Sequence, residues 1–95
     1  MKFEWDETKN VLNIEKHGIN FREAQTVFYD EHWIKVIDDG HTDSDATEER
    51  FYAIGKSLYK KLLTVCYCER DNDTIRIFSA RVAKKHEKEV YNAYI

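Results

Sequence analysis

Residues 62–81, LLTVCYCERDNDTIRIFSAR, decide how this chain is built. Two runs rich in β-branched and aromatic residues, Leu62–Arg70 and Thr74–Ala80, flank Asp71-Asn72-Asp73, a trio that favours turns. The pattern predicts an antiparallel hairpin. Arg76 and Arg81 then raise a question. Side chains alternate faces along a strand, so an odd separation sends these two guanidinium groups to opposite sides. If the strand stops near Ser79, Arg81 opens the following helix instead, and both arginines border one surface.

Working outward, Trp33–Ile37 and Glu49–Ser57 read as two further strands, separated by the turn-rich stretch Asp38–Asp45. At the N-terminal end Lys2–Trp5 is a short strand with Phe3 and Trp5 on one face. Asp6 caps a helix that runs to about Lys16. The ending Lys16-His17-Gly18-Ile19 places cations in the last turn, then a glycine suited to a left-handed cap, then an apolar contact. Asn20 caps a second helix, with Glu23 completing a capping-box-like pair and Ala24, Val27 and Phe28 forming its apolar stripe. The tail from Val82 to Tyr94 is read as helical, with Val82, His86, Val90 and Ala93 at helical spacing. The order β-α-α-β-β-β-β-α predicts an α+β fold: a twisted antiparallel sheet packed against helices on one face. Closely spaced strands favour a meander over parallel crossovers. With 95 residues, no proline, no linker and no internal repeat, residues 1–95 form a single domain.

Composition excludes several classes. Hydrophobic residues make up 42% and charged ones 35%, a balance that folds rather than staying disordered. No apolar run is long enough to span a membrane and no leader-like segment opens the chain, so a cytoplasmic protein is expected. Cys66 and Cys68 fit neither a redox nor a zinc motif and read as reduced, hydrophobe-like thiols. His32, His41 and His86 show no ligand spacing, and neither a metal nor a cofactor is expected. The net charge of −3 divides unevenly: residues 1–50 hold six Lys/Arg against thirteen Asp/Glu, and residues 51–95 hold nine against five. One cationic face is therefore available to a phosphate backbone. Ordinary solvated charge explains the counts equally well.

Four of the five arginines, Arg50, Arg70, Arg76 and Arg81, lie in or beside the central strands. Arg70 is expected near Ile75 or Arg76, a repulsive arrangement unless an anion lies between. Glu69 or the turn aspartates are candidates for that anion. Arg81 in the first turn of a helix would cost about 0.3–1 kcal/mol against the macrodipole. Unpaired helix N–H groups beside an arginine instead suit an anion, with Ser79 either capping the helix or adding a hydroxyl. Lys16 and His17 are cations at a helix C-terminus, favourable for stability alone. Glu49 is either a general base or the ion-pair partner of Arg50. Residue chemistry reaches phosphate recognition and leaves cleavage open.

Taken in order, Phe3-Glu-Trp-Asp6, Asn13-Ile-Glu-Lys-His-Gly-Ile19, Phe21-Arg-Glu-Ala24, Val27-Phe28, Glu49-Arg50, Ile54-Gly55-Lys-Ser57, Arg70 and Arg76-Ile-Phe-Ser-Ala-Arg81 resemble the BrnT family. These are the toxins of BrnT–BrnA type II toxin–antitoxin systems. The chain departs from the family pattern at Phe78, where a more aliphatic run is usual, and at Tyr59-Lys60, where a Gly-Arg-type turn is usual. The resemblance implies a RelE-like fold and a metal-independent endoribonuclease that inhibits translation. It implies neutralisation by a BrnA-like antitoxin, RNA as substrate, and contact with promoter DNA only through the toxin–antitoxin complex. Carried over by position, the functional residues are Lys16, His17, Glu49, Arg50, Arg70, Arg76 and Arg81. The arginines would clamp phosphate, and Glu49 or His17 would move the proton. The alternative is a non-catalytic interaction module or degenerate toxin that binds an antitoxin and contributes to promoter binding.

Overall fold

A computed structural model describes residues 1–38 and 49–95; His41 and the stretch from residue 39 onward of the expected Asp38–Asp45 loop lie outside the described residues. The elements are β1 (Lys2–Glu4), α1 (Glu7–His17), α2 (Phe21–Gln25), a 3-10 helix (Thr26–Tyr29), β2 (Ile34–Ile37), β3 (Arg50–Lys56), β4 (Leu62–Arg70), β5 (Thr74–Val82) and α3 (Lys85–Asn92). Local chemistry sets most boundaries. Asp6 accepts hydrogen bonds from the N–H groups of Thr8 and Lys9 and so starts α1. Gly18, at φ 71°, ends it and donates to the Ile14 carbonyl, while Ile19 turns into the core. Asn20 caps α2 by accepting from Arg22 N–H. Glu23 does not complete the expected capping pair; its carboxylate accepts from Ser57 Oγ at 2.8 Å and ties α2 to the β3–β4 turn.

The five strands are ordered β1-β5-β4-β3-β2. Strands β2 to β5 form the expected antiparallel meander, but β1 lies parallel to β5, so the sheet is mixed. Sequence spacing constrains only consecutive strands. The partner of β1 is some seventy residues away, and the helices that follow β1 carry the chain across one sheet face to the far edge. Where β1 ends, the buried Asn13 of α1 continues the edge. Its amide donates to the Ala80 carbonyl at 2.8 Å and accepts from Ala80 N–H at 3.1 Å, standing in for a strand.

The core lies between the segment of α2 and the 3-10 helix and one sheet face, while α3 docks through Glu87 onto Thr64 and Arg81 of the other face, which corrects the expectation of helices on one face only. Ile19, Phe21, Ala24, Val27 and Phe28 meet Phe51, Ala53, Leu63, Val65, Tyr67, Ile75, Ile77 and Ala80. Phe28 is the hub, with its ring centroid 5.5 Å from Phe3 and 5.0 Å from both Trp33 and Tyr67. Gly55 lets the strand approach: a Cβ there would come within 2.9 Å of Trp33 Cβ and Val27 Cγ1.

Two expectations about the C-terminal part are corrected. β5 does not end near Ser79 but runs to Val82, and α3 begins only at Lys85. The long partner strand β4 pairs Thr64 with Arg81 and Leu63 with Val82, and Ala83 N–H still donates to the Leu62 carbonyl. Tertiary pairing thus overrides the helical spacing of Val82, His86, Val90 and Ala93. The buried residue of α3 is Tyr91.

Candidate functional site

Arg81 is therefore a strand residue, and strict alternation would put it opposite Arg76. It is not opposite, because β5 carries a β-bulge. Tyr67 pairs with Ile77 and the next residue of β4, Cys66, pairs with Ser79, which leaves Phe78 as the extra residue. The bulge shifts the pleat by one. Ile77 and Ala80, three apart, both enter the core, while Arg76, Ser79 and Arg81 share the other face.

That face reads as three rows across the sheet. The first runs Arg50, Cys68, Arg76 and Glu4; the second Val36, Tyr52, Cys66 and Ser79; the third Ile34, Ile54, Thr64 and Arg81. Neighbouring strands lie about 4.8 Å apart, so Arg50 and Arg76 stand roughly 10 Å from each other at the backbone. Arg50 stacks on the Phe78 ring at 4.3 Å, and Lys9 of α1 lies 5.3 Å from the centroid of that ring.

The cations are organised by carboxylates. Arg76 Nη1 donates to Glu4 at 2.8 Å, and Arg70 Nε lies 3.7 Å from the same carboxylate. The anion between these arginines is thus Glu4 of β1, in place of the Glu69 or turn aspartates expected from sequence; Glu69 pairs with Lys35 at 3.0 Å. Arg70 itself pairs in register with Thr74, two positions from Arg76. Arg81 makes a two-pronged ion pair with Glu87, at 2.7 and 2.8 Å. Thr64 Oγ1 also donates to Glu87, as does the Lys84 N–H, so this one residue of the first turn of α3 docks the helix onto the sheet. The acidic residue favoured at a helix start is present after all, at 87. Hydrogen bonding from Arg81 holds the Glu87 carboxyl down at about 2, against an opposing effect of burial. The same pair raises the Arg81 pKa.

At the centre of the face is Tyr52, which sequence reasoning missed. Partial burial raises its phenol pKa first, and the Asp38 carboxylate raises it further, while Arg81 acts the other way. Cys66 behind it is buried, which pushes its thiol up to about 11; Cys66 and Cys68 are both free and buried. The signal that could have found Tyr52 was its place two residues beyond Arg50, on the same side of a strand. Glu4 and Glu87 offered no local signal, since their partners lie on distant or later elements.

Lys16 and His17 line a shallow hollow at the end of α1 with Lys9, Leu12, Asn13, Phe78 and Ser79, so they reach the rim of this face at the bulge. Glu49 is exposed just ahead of β3. Among the described residues no three His, Cys, Asp or Glu side chains come together as a metal site. No helix is long and apolar enough to cross a membrane. Chemically, the face offers fixed planar cations around a neutral hydroxyl, a set suited to a phosphodiester.

Comparison with known proteins agrees with that chemistry. Residues 5–87 match the family described as "Ribonuclease toxin, BrnT, of type II toxin-antitoxin system". The crystal structure of the Brucella abortus ribonuclease toxin BrnT is similar, with a TM-score of 0.61 and 25% identity over 90% of this chain and 99% of that one. Among curated proteins no similar sequence was found.

Proposed function

This chain belongs to the BrnT family of ribonuclease toxins of type II toxin–antitoxin systems, and we propose that it cuts RNA by attack of a 2′-hydroxyl on the adjacent phosphate, without a metal ion. The observation that carries this reading is the bulge at Phe78, which gathers Arg50, Arg76 and Arg81 on one sheet face. In the reaction O2′ bonds to phosphorus, negative charge builds on the non-bridging oxygens, and the bond to O5′ breaks. Arginine forks aimed at those oxygens stabilise the charge where it develops. Arg70 extends the cationic track at the sheet end, and Lys16 with His17 borders it at the bulge. His17 or Glu49 takes the 2′ proton; His17 has the advantage of position, at the rim of the hollow.

Translation falls as a consequence of RNA cleavage. A BrnA-like antitoxin neutralises the chain, and the two together repress their own promoter, with the antitoxin reading the DNA. The fold is a RelE-like variant with its first strand added in parallel. One observation favours a second reading, a non-catalytic module that grips an acidic antitoxin segment: Glu4 and Glu87 already occupy the arginine forks.

Incubating structured RNA with the protein in excess EDTA separates these readings. Cleavage that survives chelation and is lost in Arg76→Ala/Arg81→Ala is the expected result. Full activity of that double variant sinks the arginine assignment. Salt-sensitive RNA binding without cleavage identifies the module instead.

A further inference from the structure

Resting on the ribonuclease reading, we propose that Tyr52 is the general acid that protonates the leaving 5′-oxygen. Its place is the argument. Tyr52 sits in the middle row, between the Arg50 and Ile54 positions of β3 and directly across Cys66 from Ser79. Arg81 lies one row away on β5, close enough for its charge to act on the phenol, and Asp38 faces it from the end of β2.

Among the groups at the centre of the face, elimination leads to the same atom. The arginines surrounding the centre of the face hold their protons at any working pH. Cys66 and Cys68 are buried, so neither thiol reaches the surface where a phosphodiester would lie, whereas Tyr52 is only partly buried. Thr64 already donates to Glu87. A serine hydroxyl such as that of Ser79 is too weakly acidic to compete with a phenol. Glu87 is held ionised by Arg81 and accepts from two further donors, Thr64 Oγ1 and the Lys84 N–H, so it has no proton to give. Tyr52 keeps its proton in the resting protein, because burial and Asp38 both disfavour the phenolate.

The proton and electron count closes. The 2′ proton passes to His17 or Glu49, and the O2′–P bond forms. The P–O5′ bond breaks with its electron pair leaving on O5′, and the Tyr52 hydroxyl proton moves to that oxygen. A 5′-alkoxide is far more basic than a phenolate, so the transfer runs downhill. Arg81 and Arg50 flank the resulting phenolate, which takes its next proton from water. The products are a 2′,3′-cyclic phosphate and a 5′-hydroxyl.

The test compares two RNAs at the cleavage position mapped with the wild-type protein. One is ordinary RNA; the other carries sulfur in place of the bridging 5′-oxygen, and a thiolate leaves without needing a proton. Tyr52→Phe is expected to cut ordinary RNA about 10²–10⁴-fold more slowly and to cut the sulfur-bridged RNA within about tenfold of wild type, with its melting temperature unchanged. Equal impairment on both substrates, or full activity on ordinary RNA, overturns the assignment. If the wild type cuts neither RNA, the ribonuclease reading falls and this one with it. Should the phenylalanine variant fail to fold, 3,5-difluorotyrosine at position 52 retains the hydroxyl and lowers its pKa. With Asp38, Cys66, Arg50 and Arg81 unchanged around it, the alkaline limb of the rate profile must then move to lower pH. An unmoved limb overturns the proposal.

Discussion

The two faces of the sheet are built from the same strands and solve opposite problems. Toward α2 and the 3-10 helix, Phe51, Ala53, Leu63, Val65, Tyr67, Ile77 and Ala80 exclude water around Phe28. On the other side, residues in register immediately beside them hold Arg50, Tyr52, Arg76 and Arg81 with the carboxylates Glu4 and Glu87. The first face is specified by size and hydrophobicity and tolerates no charge. The second is specified by partner geometry: the Arg76 and Arg81 forks are aimed by acids supplied from β1 and α3. What keeps the faces distinct is one inserted residue. If Phe78 were paired in unbroken alternation, the pleat that puts Ile75 and Ile77 in the core would put Arg81 there too.

That dependence gives the most severe way to break the comparison. Ala80→Glu puts a carboxylate into the apolar layer at the residue that the bulge turns inward. An unpaired buried charge costs several kcal/mol, in a domain whose whole stability is about 5–15 kcal/mol. The Ala80→Glu variant is expected to show no cooperative urea transition by circular dichroism. A folded Ala80→Glu variant would show that the pleat on this strand is free to slip.

Next in size is a change confined to the apolar face. Phe28→Ala removes the ring that contacts Phe3, Trp33 and Tyr67 and is expected to cost about 3–5 kcal/mol in urea unfolding. Any RNA cleavage by the fraction that stays folded should keep its wild-type specific rate, because the arginines are positioned from the other side.

The smallest effect sharpens the contrast by pH. Glu87 is held at about 2, below the 4.5 of an unperturbed glutamate. A carboxyl depressed on folding stabilises the protein fully above the unfolded pKa, and that contribution is lost as pH falls through the folded one. Between pH 4.5 and 2 the melting temperature of the wild type should therefore fall more steeply than that of Glu87→Gln. Parallel curves would mean that the Arg81–Glu87 pair adds nothing to the docking of α3.

Much of the molecule was legible beforehand. Asp6, Gly18 and Asn20 mark helix ends by their own side-chain or backbone chemistry, and the Asp71–Asp73 turn fixes the hairpin between β4 and β5; Asn72 and Asp73 adopt the left-handed backbone that such a turn needs. The arginines stood out because cations are unusual in the centre of a sheet. What could not be read was anything set by distant pairing. β1 joins β5 in parallel, β5 outlasts the helical pattern of Val82 because Leu62 and Leu63 hold it in the sheet, and Glu4 in place of Glu69 settles the charge between Arg70 and Arg76.

By itself, then, the sequence determined most of the strands, helices and turns, and that four arginines lie in or beside the sheet, since these follow from short-range sterics, hydrogen bonding and periodicity. Only the tertiary structure decided which way the arginines face. A strand's pleat is fixed by whom it pairs with, residue by residue. The bulge at Phe78 exists because β4 on one side and the core on the other demand two registers from one strand.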